Sequence, residues 1–202
     1  MSQPTGAPAP NGGARELAHR AMRGQISLSA TELFLARGYA RTTIDDVCAA
    51  TGISRSSFFR YFGSKEEVLL QDLSDIDEDL LAALIARPND EAAWLAIRRA
   101  LDAVLSRYLA DPEQTLRRAK VVIATPALLS IHREKLTRWV RLLGPELSRR
   151  LEVTPDGLPD PRPAALVAAA LACLDVAVAT WAGADGEPPL ADLLDRAMAP
   201  IY

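Results

Sequence analysis

Apolar residues recur along this chain at intervals of three and four, the spacing of one buried face on an α-helix. No segment alternates as a half-buried strand does, so the pattern predicts an all-α fold. Ile26, Ala30, Leu33 and Phe34 form the first stripe, on a helix from about Arg15 or Met22 to Arg37 that Gly38 stops. Between Thr42 and Leu70 three helices are predicted in quick succession. Thr43 opens the first, with Asp46 three residues on in the place of the usual Glu or Gln, and Gly52 ends it. Ser54 caps the second, Arg55 to about Phe62, and Ser64 caps the third, with Glu67 completing an S-x-x-E box. Ile26, Phe34, Ile44, Val47, Ile53, Phe58 and Phe62 supply a small common core. Two short helices crossing through a tight glycine turn are the helix-turn-helix pattern, whose second helix enters the DNA major groove.

Longer stripes follow. Leu69, Leu73, Ile76, Leu80 and Leu84 predict that the helix opened by Ser64 runs unbroken from Lys65 to about Ile85, a stiff rod of roughly 30 Å. The next is expected to start at Asn89 or Asp90 and to bury Trp94, Ile97, Leu101, Val104, Leu105 and Tyr108. Asp111-Pro112 and Thr125-Pro126 are both helix-start signals. The second opens a helix towards Leu151 with Leu129, His132, Leu136, Trp139, Leu143 and Leu147 on one stripe, bent at Gly144-Pro145. Pro155 to Pro163 reads as a loop. Ala164–Ala182 is apolar all round apart from Asp175 and Thr180, so it must be covered on all sides. Half of that cover is expected from its own chain and half from a second copy, with a last helix, Leu190 to about Met198, adding Leu193, Leu194 and Met198. A membrane span is the lesser reading, because basic and aromatic anchors do not flank the segment.

Charge sharpens the picture. The 202 residues carry a net charge of −3, but residues 1–65 hold eight Arg or Lys against four acids, and the remainder holds 15 against 22. A basic front on an acidic body points to local attraction for phosphates. Residues 1–14, rich in Pro, Gly and Ala, read as a flexible tail without a signal-peptide core. Cys48 and Cys173 read as buried hydrophobes in a reducing compartment. His19 and His132 belong to no triad and no metal-ligand spacing, so the sequence predicts no enzyme, metal or cofactor.

The segments TTIDDVCAATGIS, FFRYF and GSKEEVLL resemble the TetR/AcrR family of bacterial transcriptional regulators, over about residues 20–80. The resemblance implies an N-terminal three-helix DNA-binding domain (about 20–80, its helix-turn-helix about 43–62) and a larger helical domain (81–202) that binds an effector and dimerises. It implies DNA-facing roles for Thr43, Ser54, Arg55, Ser56, Ser57, Phe59, Tyr61 and Lys65. Thr43, Tyr61 and Lys65 would meet phosphates, and Arg55, Ser56 and Ser57 would lie nearest the bases. Phe59 stands where Tyr is common, so one phosphate hydrogen bond is missing, although the ring can touch a thymine methyl or a sugar. The implied protein is a cytoplasmic homodimer, paired through about 164–182 and 190–198, that binds a near-palindromic DNA operator and is released by a small hydrophobic or acyl-chain effector. An activator, or a small-molecule-binding protein with a vestigial DNA module, is the alternative. In the body, Trp94, Arg98, Tyr108, His132, Trp139 and Asp175 are the candidate ligand residues, with packing as the competing role for each aromatic.

Overall fold

The computed structural model describes residues 11–69, 73–151 and 159–199, and every regular element among them is helical. The chain divides into two compact units, the first ending at Gln71 and the second starting at Asp72.

The first unit holds α1 (Asn11–Arg37), α2 (Ile44–Thr51) and α3 (Arg55–Tyr61). Helix α1 begins inside the segment assigned to the tail, so only residues 1–10 lie outside the description there. Ile26, Ala30, Phe34, Val47, Phe58 and Phe62 are buried as their spacing requires, while Ile44 and Ile53 are only half-buried. Gly52 ends α2 with φ of 69°, a left-handed conformation that costs glycine nothing.

The rod expected from Lys65 is not formed. Ser64 does cap, its hydroxyl accepting from the Glu67 amide at 3.2 Å, but residues 65–69 are turns, and the next helix, α4, spans Leu73–Ile85. The cause is tertiary. The Val68 carbonyl accepts a 2.8 Å hydrogen bond from the buried Ser27 hydroxyl of α1, and the Leu69 amide closes a three-residue turn onto Glu66. Lys65 and Glu66 are both drawn to Tyr39.

The second unit continues with α5 (Ala93–Ala110), α6 (Pro112–Ile123), α7 (Leu129–Arg150), α8 (Arg162–Gly183) and α9 (Leu190–Met198). Its core joins Leu80, Leu84, Ile97, Leu101, Trp139, Leu143, Leu147, Leu174 and Leu194. Helix α5 starts later than Asn89 or Asp90, which sit in turns; the Glu91 carboxylate there is held by Arg87 and Arg99. Asp111 caps α6 by accepting from the Gln114 amide at 3.0 Å. Thr125-Pro126 opens only a 3-10 turn, Pro126–Leu128, before α7 begins. Helix α7 runs through Pro145, which lies on its exposed side, and the Ser148 hydroxyl donates to the Gly144 carbonyl at 2.9 Å. Of the loop expected at 155–163, residues 155–158 lie outside the described residues, and Arg162 and Pro163 already belong to α8.

Arg150 pins α7 to the end of α4. Its guanidinium is nearly fully buried, pairs with Glu146 at 3.0 Å, and donates to the carbonyls of Leu84, Arg87 and Pro88 at 2.6 to 3.0 Å. A cation thus meets the carbonyl end of a helix, where the macrodipole favours it.

Helix α8 is long and apolar enough to cross a membrane by length and composition. Here Val167, Ala170, Leu171, Leu174, Ala177 and Trp181 form a buried face packed on α7 and α9. Its other face, Ala165, Ala172, Val176, Thr180 and Gly183, is exposed, Val176 by 60%. In α9, Leu194 and Met198 are buried in their own chain and Leu193 is half-buried.

Candidate nucleic-acid interface

Helix α3 is short, and its two faces differ sharply. Phe58 is fully buried and Phe62 follows it into the core, their rings 5.7 Å apart. Arg55, Ser56, Phe59 and Arg60 are exposed, Phe59 by 46%. The i, i+4 pairing of aromatic anchors fixes which side faces outwards. Ser54 organises the start: its oxygen accepts from the Ser57 amide at 3.1 Å and lies 3.0 Å from both the Ser56 and Ser57 hydroxyls.

Arg55 is the first residue of α3, and its Nη1 donates to Asp45 of α2 at 2.8 Å. The guanidinium also lies 5.7 Å from the centre of the Phe59 ring. One nitrogen is therefore tethered, while Nε and Nη2 still offer the adjacent pair of N–H groups that a guanine O6/N7 edge accepts.

Thr43 caps α2 in a reciprocal box with Asp46. Both its amide and its hydroxyl donate to Asp46 Oδ2, at 2.8 and 2.6 Å, and these bonds hold the Asp46 carboxyl below the usual carboxylate range. A phosphate at Thr43 would therefore have to displace Asp46. Lys65 is likewise turned inwards. Its ammonium donates to the carbonyls of Tyr39 and Thr42 at 2.8 and 3.0 Å and lies 4.0 Å from the Tyr39 ring centre. It sits in a turn and not at the start of a helix, so no helix dipole adds to its charge. Tyr39 in turn donates to Glu66 at 2.5 Å. That bond lowers Glu66, while burial, and then the carboxylate, push the Tyr39 phenol up.

Tyr61 is half-buried at the end of α3. Its ring lies 5.0 Å from that of His19 in α1 and 5.8 Å from the Arg60 guanidinium, and its carbonyl accepts from Arg23. Arg23 also covers Phe62 at 4.4 Å. Sequence reasoning missed Asp45, His19 and Arg23. The last two stand four residues apart on α1, and Arg15 continues the row, a spacing that could have found them.

Two of the six candidate ligand residues of the body share a groove. Trp94 and Arg98 line an open groove of about 390 Å³ between α5 and α9, with Arg99, Asp102, Asp195 and Met198. The Trp94 indole donates to the Met198 carbonyl at 3.3 Å, and Arg98 bridges Asp195 and Asp102 at 2.5 and 2.7 Å. Trp139 is buried between α7 and α4, its indole donating to Asp77 at 2.7 Å, with Arg138 on the other oxygen at 2.6 Å and Lys135 4.6 Å from the ring centre. Tyr108 and Asp175 are half-buried, and the His132 side chain lies outside the described residues. Among the described residues no group of His, Cys, Asp and Glu could hold a metal ion, and both cysteines are free and buried.

A recognition helix with an apolar inner face and an Arg–Ser–Ser start, joined by a glycine turn to a capped partner, defines the class: a helix-turn-helix regulator of transcription. Two family models match, "Bacterial regulatory proteins, tetR family" over residues 26–71 and "MftR C-terminal domain" over residues 91–202. The chain belongs to the TetR family of bacterial regulatory proteins. It is 42% identical over 128 residues to the HTH-type transcriptional regulator TcmR of Streptomyces glaucescens, covering 60% of this chain and 57% of that one. It is 31% identical over 129 residues to the putative mycofactocin biosynthesis transcriptional regulator MftR of Mycobacterium tuberculosis, covering 62% and 63%. The chain thus spans less than two thirds of the length of these two relatives. The fold is shared with Thermus thermophilus FadR, solved with lauroyl-CoA (TM-score 0.54, 19% identity, 88% and 91% of the chains covered). It is shared also with NalD of Pseudomonas aeruginosa, the secondary repressor of a multidrug efflux pump (TM-score 0.58, 18% identity, 92% and 95% covered).

Proposed function

We propose that this protein is a homodimeric repressor that holds a near-palindromic operator through α3 of each chain and lets go when a small hydrophobic effector binds its body. The observation that carries the reading is the exposed edge of α3, where Arg55 is presented with two adjacent donors while Phe58 fixes the helix from beneath. Arg55, Ser56 and Ser57 read bases; Tyr61, and Phe59 by apolar contact, meet the backbone or a thymine methyl. Thr43 and Lys65 support the site by shaping it, since both are engaged within the unit. Two recognition helices set about 34–36 Å apart suit successive major grooves.

Dimerisation through α8 is supported by its exposed row of Ala165, Ala172, Val176 and Gly183, small enough for close helix approach. Val176→Arg should yield monomers in sedimentation equilibrium where the wild type is a dimer; an unchanged mass would remove that interface. A hydrophobic effector is supported by the aromatic and aliphatic interior of the body, and the FadR structure with lauroyl-CoA makes acyl compounds the first panel to try. The switch is tested by titrating duplex with and without each compound. A coupling of about 1–3 kcal/mol would weaken DNA binding about 5–150-fold. If every compound that binds the body leaves DNA affinity unchanged, the effector reading fails.

A further inference from the structure

The basic excess of the N-terminal region is not used up by the residues so far placed on DNA. Arg15, Arg20 and Arg23 lie on α1, upstream of the small core, with Glu16 the single acid among residues 11–31. Arg15, His19 and Arg23 are spaced four apart and so share one face of the helix. That face is placed by contact with α3. Arg23 donates to the Tyr61 carbonyl and covers Phe62, and His19 lies against the Tyr61 ring at 5.0 Å. Arg60 approaches the same ring at 5.8 Å. Arg15, His19 and Arg60 are all exposed. The end of the recognition helix is therefore continued by a row of cationic and hydrogen-bonding side chains.

We propose that the first three turns of α1 are a second DNA-contacting surface, on which Arg15 and His19, together with Arg60, bind backbone phosphates flanking the bases read by Arg55. The inference rests on the reading of α3 as the recognition helix. Charge and continuity select duplex DNA as the occupant: the row begins at Tyr61 and extends by Arg15, which stands about 6 Å further along the axis than His19. That reach matches one to two nucleotide steps along a strand. Arg23 is the positioning residue, engaged with Tyr61 and Phe62 and not itself offered to phosphate. Phosphate contacts of this kind set affinity and register and leave base choice alone.

The test uses the full chain and a 40-bp duplex that the wild type recovers from a randomised library. Arg15→Gln should lower the slope of log K against log salt by about one per chain, and Arg15→Gln with Arg60→Gln by about two per chain. The base preference in a repeated selection should not change. Both positions are exposed, and circular dichroism verifies that the variants stay folded. If the wild type selects a duplex but the slopes of the variants equal its own, this inference fails and the reading of α3 stands. If instead the wild type recovers no duplex, both fall. A variant that loses base preference as well as slope would also overturn the proposal, because it would place these side chains at the bases.

Discussion

Replacing Asp45 with Asn removes the tether on Arg55 without changing the shape of the side chain. Asp45 holds Nη1 at 2.8 Å, and both side chains are well exposed, so the pair adds little to folding. Its value lies in order. Immobilising a side chain rich in rotamers on binding costs about 0.5–1.5 kcal/mol. Arg55 avoids part of that cost if Asp45 already holds it with Nε and Nη2 turned outwards. Over two chains the loss is about 1–3 kcal/mol, or about 5- to 150-fold in binding to the selected duplex. The same substitution removes a negative charge beside the phosphates, which strengthens binding to any sequence. The first effect lowers the ratio of specific to non-specific affinity, and the second, common to both duplexes, cancels in it. Fluorescence anisotropy with the selected duplex and a scrambled one measures that ratio at fixed salt. A ratio that is unchanged or higher in Asp45→Asn would refute the argument, since it would mean that Asp45 restrains Arg55 and does not present it.

Other predictions concern what stabilises each unit by itself. Arg150→Ala should cost about 3–5 kcal/mol in the urea unfolding of the second unit, because it takes away one of the two arginine partners of the buried Glu146 and the donor to three backbone carbonyls; Arg150→Lys should recover only part. Phe58→Ala should destabilise the first unit by about 3–5 kcal/mol and abolish DNA binding at temperatures where the second unit remains helical. Glu66 titrates below its unfolded value when bonded to Tyr39, so its contribution is present above about pH 4.5 and is lost as pH falls through the folded value. Tyr39→Phe should flatten that acid limb when melting of the first unit is followed against pH. Trp139→Phe should cost about 1–3 kcal/mol by leaving a buried Asp77 oxygen without its indole partner.

The parts of this molecule that were legible in its sequence are those decided within a few residues. Thr43 with Asp46, Gly52, Ser54 and Asp111-Pro112 each signal a helix end by their own chemistry, and each does that work in the structure. The outward side of α3 followed from the four-residue spacing of Phe58 and Phe62. What failed was decided by distant partners. The Ser64 cap forms as expected, yet Ser27, 41 residues away, takes the Val68 carbonyl, and the helix does not continue. Lys65 no longer opens a helix, and it is held by two carbonyls and a ring that only the folded chain brings to it. In the body, Trp94 and Trp139 looked alike along the chain, yet their indole donors answer to different elements.

The outer edge of α3 is the surface proposed to read duplex DNA. Selection from a randomised duplex library, run side by side with the wild type and Arg55→Ala, tests it most directly. The wild type should enrich an inverted repeat, and Arg55→Ala should flatten one position in each half, by about 1–3 kcal/mol, while the other positions keep their preference. Enrichment of the same repeat with the same strength at every position by both proteins would contradict it.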